Sequence, residues 1–439
     1  MLERCAVLDW AASGAMALTG LPDGLPVMSP APVLAMLSSV TERLARATRE
    51  TGKEVRADPA ELITGRAALA GFIRRGQVSA GGSSFLLRCA DGWCAVTVSR
   101  PDDLAAIPAI LGVLGLEGAD PPTEARSALA PAALARPAKD VAAAGQLLGV
   151  PPAALPADAP PTAAAWPPWR ATRIALPSAG ARLTGAVVAD LSSMWAGPLC
   201  ARILGLAGAD VIKVESADRP DGARSGNQEF FDWLHAGHRS MTADFRTGEG
   251  RMALAALLAV ADVVIETSRP RALAALGLAP EMIPHRDGQV WLSITGYGRA
   301  APERAAFGDD AAVGGGLVGW TSSGAAAVPV FCADAVADPL AGVCGALAVA
   351  SSMAAGGGEL IDLPMREAAA AFAAAPAPDH GPHKIRPDGR VICPRYGPAQ
   401  AVLPLRRPGP PAGPAGCAAE SGADTGAVLA WLAGRGATC

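Results

Sequence analysis

Residues 186–214 read AVVADLSSMWAGPLCARILGLAGADVIKV. The run Ala186-Val-Val-Ala-Asp190 is a short, continuous apolar segment, the pattern of a strand buried on both faces. Residues 199–206 have a helical pattern, and Asp210-Val-Ile-Lys-Val214 repeats the strand pattern. The alternation continues with a helix over 252–260, a strand over 262–266 (DVVIE) and another over 290–295 (VWLSIT). Strands alternating with helices predict an α/β fold built on a doubly wound parallel sheet. Ligands of such sheets bind at the carboxyl ends of the strands.

Outward from this stretch the chain divides into four. Residues 181–375 form the Rossmann-like large domain, and 1–150 a smaller mixed α/β domain. In the latter, 38–51 reads as a helix. Residues 83–89 and 93–99 form a hairpin about the turn Ala90-Asp91-Gly92. Asp102 and Asp103 open a short helix running to about Leu111, where Gly112 could end it, although Pro108 sits inside. Residues 151–180 (PPAALPADAPPTAAAWPPW at their start) are a proline-stiffened linker. Residues 376–439 are a Pro/Gly-rich tail that wraps a partner or is loose, ending in a short helix from Thr425.

The 439 residues are 51% apolar but only 4% aromatic, so a stable core must be extensive, shared with a second subunit if need be. Lys and Arg total 37 against 41 Asp and Glu, a net charge of −4, which gives no reason to expect nucleic acid. Nine single cysteines without a C-x-x-C read as reduced thiols of a cytoplasmic protein, Cys439 being the readiest to react. Arg4 is followed by Asp9 with no long apolar run, so no signal peptide is expected. The uncharged stretches 311–333 and 339–358 are dense in Gly, Ala and Ser and read as buried packing rather than membrane spans. There is no P-loop, and Leu191-Ser-Ser-Met-Trp-Ala-Gly-Pro198 stands where a dinucleotide fingerprint would be. No H-E-x-x-H and no close His/Cys set suggests a metal. Gly314-Gly315-Gly316 lacks a following lysine and reads as a close-packed turn.

Seven short motifs occur in order. They are Asp190-Leu-Ser-Ser-Met-Trp-Ala-Gly-Pro198, Gly208-Ala-Asp-Val-Ile-Lys-Val-Glu215 and Gly237-His-Arg-Ser240 with Asp244. Then come Ala261-Asp-Val-Val-Ile-Glu266 with Arg269-Pro270, Leu276-Gly-Leu278 and Ser293-Ile-Thr-Gly-Tyr-Gly298. Ala337-Asp338 with Ala341-Gly342, before an alanine-rich helix, is the last. This order resembles the class III CoA-transferases, the family of formyl-CoA and carnitine CoA-transferases, whose fold the α-methylacyl-CoA racemases share. The resemblance is close over 184–370. Asp91-Gly92-Trp93 and Gln146-Leu-Leu-Gly-Val-Pro151 resemble segments that relatives carry after the core, so small-domain material stands ahead of the large domain. Gly422-Ala-Asp-Thr-Gly-Ala-Val-Leu429 resembles the closing helix.

The resemblance implies an acyl-CoA:carboxylate CoA-transferase with no permanently bound cofactor and with coenzyme A as a substrate. Its partners would be an acyl-CoA, a carboxylic acid acceptor and a second copy of the chain in an interlocked homodimer. Such transfer needs an ionised, poorly solvated carboxylate nucleophile beside backbone N–H donors. Asp338, followed by Pro339 at a helix start, falls on the family's catalytic aspartate. Local sequence alone fits a helix cap as well, and Asp334 is the local rival. Ser193, Met194, Trp195 and Ala196 fall on the CoA-facing loop. Lys213, Arg224, Arg239 and Arg269 are cations placed for CoA phosphates. His238 stands where many relatives have Lys and reads as a phosphate or structural contact. Thr295, Gly296, Tyr297 and Gly298 form a turn that lets backbone approach a ligand. Asp309 stands where the racemases carry a histidine base, and Gly314 replaces a frequent glutamine. A racemase or isomerase on the same fold, or a non-catalytic CoA-binding relative, are the alternatives.

Overall fold

A computed structural model describes residues 5–29, 31–116, 123–158, 164–321, 327–397, 400–411 and 416–435. Arg4, Cys439 and part of the apolar stretch 311–333 lie outside them.

The centre is a seven-stranded sheet in the spatial order Arg170–Arg173, Glu359–Pro364, Val290–Thr295, Val263–Glu266, Val187–Leu191, Asp210–Ser216 and Arg239–Ala243. The first strand is antiparallel to its neighbour and the other six are parallel. Alternate residues face opposite sides. Val188, Val211, Val263, Ile265, Leu292 and Ile294 join one core, while Val187, Ala189, Ile212, Val214, Val264 and Trp291 join the other. Both faces are therefore covered, which is why these strands read as unbroken apolar runs.

One face carries the helices Ala196–Leu206 and Ala337–Ala354. They approach so closely that a Cβ at Gly342 would stand 2.7 Å from the Ala196 carbonyl oxygen. Small side chains permit this contact, which accounts for the alanine-rich sequence. Ala337–Ala354 is long and apolar enough to cross a membrane, yet it is largely buried between these layers. The other face carries Gly248–Val260 and the closing helix Thr425–Gly434.

The domain boundary expected at residue 150 requires division. Helix Val33–Thr51, longer than expected because it begins directly after Pro32, packs on Ala337–Ala354 and belongs to the large core, as do Trp10, Leu62 and Ile63. The separate small core comprises the hairpin Ser84–Arg88 and Trp93–Thr97, a third strand Pro152–Ala154, and the helices around them. The helix expected from Asp102 to Leu111 is two, Pro101–Ala105 and Ile107–Val113. Pro108 cannot donate to the preceding turn, and Gly112 does not end the second.

The stretch 151–180, expected as a linker, also contributes strands. Pro152–Ala154 completes the small sheet and Arg170–Arg173 forms the edge of the large one. Proline is tolerated at a strand's first residue, where its missing N–H breaks no ladder bond. The tail packs on its own chain. Lys384–Ile385, Arg390–Ile392 and Gln400–Ala401 form a small antiparallel sheet. Leu403 N–H donates to the Ala11 carbonyl at 3.0 Å, and Asp424 Oδ2 accepts the Ser240 N–H at 2.8 Å.

Candidate active site

From the first parallel strand, Val187–Leu191, the chain winds one way through Asp210–Ser216 and Arg239–Ala243. It then returns on the other side through Val263–Glu266. The crevice at such a reversal opens between the loops after the two diverging strands. Here those loops are 192–195 and 267–270, joined by the Ser193 N–H donating to Thr267 Oγ1 at 3.2 Å. Ser193 and Met194 are exposed, Met194 at 42%. Met194 has φ 73°, a conformation uncommon for a side chain of its size. Its N–H is held by Asp221 Oδ1 at 3.1 Å. Trp195 is buried edge-on against Phe230.

Three helix N-termini meet at Asp338. It lies in the first turn of Ala337–Ala354, and its carboxylate accepts the backbone N–H of Ala196, the first residue of Ala196–Leu206. A Cβ at Gly308, where helix Gly308–Gly314 begins, would collide with Asp338 Oδ2. Such N-termini favour negative charge and leave first-turn N–H groups without intrahelical partners. The carboxyl is partly buried, not sealed.

Two further carboxyls share the site. Asp334 is 1% exposed and paired to Arg66 Nη1 at 2.8 Å, the guanidinium itself lying over the rings of Phe72, Trp195 and Phe230. Asp309 accepts the Ser84 hydroxyl and the Ala335 N–H, each at 3.0 Å. Ala333 and Ala335, flanking Asp334, both have positive φ, so the loop presenting these acids is held in a sparsely populated conformation. Burial pushes Asp338 up to about 7, with Arg66 opposing and the neighbouring Asp309 and Asp334 adding to the rise. Burial likewise raises Asp334 to about 6 against the pull of Arg66, and raises Asp309. Three carboxyls about one guanidinium titrate as a unit. Asp310 lies apart, accepting from the Thr97 hydroxyl and its own helix start.

Arg66 escaped the sequence reading. Nothing local links it to Asp334, 268 positions away. The usable signal was the helix start Asp58-Pro59, where Asp58 accepts the N–H groups of Ala60 and Glu61.

The expected phosphate cations divide sharply. Lys213 is 2% exposed, paired to Asp221 at 2.9 Å and donating to the Ser192 carbonyl. It braces the crevice loop from behind and faces no solvent. Arg224 is forked onto Glu215, and Arg239 onto Asp210, under Trp431. Burial, with the charge of Lys213, pulls His238 down to about 3, so it is neutral and supplies no cation. Lys213, Arg224 and Arg239 are thus already neutralised by carboxylates and are not free for a phosphate, while His238 fits the structural side of its reading. Arg269 differs. Among the described residues it has no ion pair, and burial together with Arg271, Arg100 and Arg219 lowers its pKa. It stands beside Gly149 of the small domain.

The Thr295–Gly298 turn packs tightly. A Cβ at Gly296 would lie 2.6 Å from Ala306 Cβ, and Gly298 has φ 85° with its N–H on Thr295 Oγ1. Tyr297 donates to the Pro152 carbonyl at 3.2 Å and lines, with Arg304 and Gly314, a cleft of about 800 Å³ between the two domains. Helix Gly308–Gly314 separates that cleft from Asp338 by its length, roughly 10 Å. Gly315 backs onto Ala369 and Ala370, so the triple glycine is the close-packed turn expected.

Several known proteins are similar to part of this chain. An acyl-CoA transferase of Fusarium pseudograminearum is 33% identical over 29% of this chain and 32% of its own length. A succinate–glutarate CoA-transferase of Agrobacterium fabrum is 31% identical over 45% of this chain and 54% of its own. A succinyl-CoA–D-citramalate CoA-transferase of Chloroflexus aurantiacus is 27% identical over 44% and 51%. The chain thus spans about a third to a half of these curated relatives. A solved CAIB/BAIF family protein from Brucella suis is 32% identical over 44% of this chain and 55% of its own, with a TM-score of 0.39. Residues 183–397, which hold both crevice loops and Asp338, match the family model described as CoA-transferase family III.

Proposed function

We propose that the protein is an acyl-CoA:carboxylate CoA-transferase in which Asp338 is the nucleophile. The observation that carries this is the meeting of three helix N-termini on the Asp338 carboxylate, next to the crevice loop that begins at Ser193. The carboxylate attacks the thioester carbonyl and the C–S bond breaks, giving a mixed anhydride and CoA thiolate. The thiolate attacks the aspartyl carbonyl, releasing the donor acid and leaving an aspartyl–CoA thioester. An acceptor carboxylate attacks that thioester, forming a second anhydride, and the thiolate then takes the acceptor's acyl group and frees Asp338. N–H groups at the helix starts stabilise each oxyanion. Mixing with succinyl-CoA and other acyl-CoAs in the presence of hydroxylamine should convert Asp338 to a hydroxamate, located by peptide mass spectrometry. Labelling at Asp334 or Asp309 instead, or none with any donor that exchanges, defeats this reading.

Arg269, with Arg219 near it, is the cation set left for the CoA phosphates, since Arg271 is already paired with Glu303. Arg269→Glu should raise KM for CoA at least ~10-fold with little change in kcat, since phosphate binding is uniform between ground and transition states. An unchanged KM moves the phosphate site elsewhere.

A racemase or isomerase is favoured by one observation: Asp309 lies against Asp338, both raised by burial, as a proton-relaying pair would be. Incubation in D₂O with an acyl-CoA and no acceptor decides. α-Deuteration supports isomerisation, and its absence removes it. The CoA-transfer reading includes a homodimer, and light scattering at micromolar concentration that returns a monomer would remove that part of it.

A further inference from the structure

Four donors stand together far from the carboxyl cluster. Cys5 is the residue before helix Ala6–Ser13. His380 and His383 precede the strand Lys384–Ile385, and Cys393 follows its partner Arg390–Ile392. The strands pair Lys384 with Ile392. One step further in that register sets His383 opposite Cys393, and the fold brings Cys5 to them. Cys5 Sγ lies 2.9 Å from His383 Nε2, and Cys393 Sγ lies 3.6 Å from His380 Nδ1. One ligand atom from each of the four falls within 4.8 Å of all the others. Tetrahedral ligation at zinc distances of about 2.0–2.3 Å needs donor separations of roughly 3.3–3.8 Å, so small side-chain rotations close the set.

We propose that Cys5, His380, His383 and Cys393 form a structural zinc site that clasps the amino-terminal helix to the carboxyl-terminal hairpin. Cys5, Cys393 and His380 are buried, and His380 Nε2 has no hydrogen-bond partner. Two thiolates, two neutral imidazoles and one Zn²⁺ sum to zero charge, so the centre is cheap to bury. Binding releases two thiol protons to solvent, and affinity must fall as pH falls. The single-chain pattern hid this site. His-x₂-His-x₉-Cys offers three donors with the fourth 375 residues away, which is why no close metal set was expected.

The clasp bears on the acid cluster. The chain leaving helix Ala6–Ser13 reaches Thr19, whose Oγ1 accepts the Ala333 N–H beside Asp334. Helix Pro59–Ala70, which carries Arg66, packs on Ala6–Ser13.

The test is metal content, not activity. Protein purified without chelator should hold about one zinc per chain. Co²⁺ in its place should give thiolate-to-cobalt charge transfer and the d–d bands of a tetrahedral site. Cys393→Ser and His380→Ala should lose both signals, while Cys417→Ser, an exposed thiol outside the set, should keep them. Should either ligand variant fold poorly, wild-type stoichiometry and the cobalt spectrum still decide. No zinc retained, and none taken from a chromophoric chelator, overturns the site. So does stoichiometric zinc persisting in Cys393→Ser, or a Cys5–Cys393 disulfide in protein kept under reductant.

Discussion

Asp338→Asn should abolish CoA exchange, by at least ~10³-fold in kcat, while CoA still binds. The amide keeps the shape and can still sit at the three helix starts, but it cannot open a thioester. The same substitution should stabilise the fold at neutral pH, and the sign follows from the raised pKa. Asp338 titrates near 7 in the folded protein and near 3.9 unfolded. The folded state therefore holds the proton more tightly, and wild-type stability declines as pH climbs from about 4 to 7. Above that window the buried charge costs on the order of 2–4 kcal/mol, which asparagine avoids. Urea unfolding at pH 8 should favour the variant, and at pH 4 the two should converge. A variant that is inactive and also less stable at pH 8 would show that Asp338 is a helix cap whose loss disturbs the site, not a strained nucleophile.

Much of the sheet domain could be read from the chain because both faces of its strands are buried. Double burial makes AVVAD, DVIKV and DVVIE unambiguous, and the crevice loop at Ser193 follows from their order. Asp338 was marked by the family resemblance, with Ala341-Gly342 at the family spacing, since its local sequence fits a helix cap as well. The charges misled for a physical reason. Lys213 lies within strand Asp210–Ser216, Arg224 in the turn after it and Arg239 at the amino end of the next strand, and each has a carboxylate in Asp221, Glu215 or Asp210 that claims it first. Sequence spacing does not show which cation is already neutralised, and Arg269 is told apart by having no ion pair among the described residues. The Pro-rich segments misled in the opposite sense. Proline excluded helix but not the edge strands at Pro152–Ala154 and Arg170–Arg173. Arg66 and Cys5 were illegible because their partners lie hundreds of residues away.

Arg66→Met should move the pH dependence of the enzyme. Among the described residues, Arg66 is the cation that acts on both Asp338 and Asp334. It holds both acids below where burial alone would put them, against the opposing charge of Asp309. Methionine keeps the contacts with Phe72, Trp195 and Phe230 but removes the charge. The apparent pKa for formation of the acyl-enzyme should then rise above about 7, so that the rate at pH 7 drops at least ~10-fold and is regained toward pH 9. Arg66→Lys should keep the wild-type profile more nearly. Stability should fall too, since Asp334 would be left buried and unpaired. The loss is about 2–4 kcal/mol, somewhat under the roughly 3–5 kcal/mol of a fully buried broken pair, because the guanidinium is 29% exposed. These two effects separate the roles of the residue. A stability loss with an unmoved pH profile would make Arg66 a tie for the loop at Asp334 alone. A shifted profile makes it the group that sets how much of Asp338 is ionised, and assigns to the amino-terminal helices a direct electrical hold on the nucleophile.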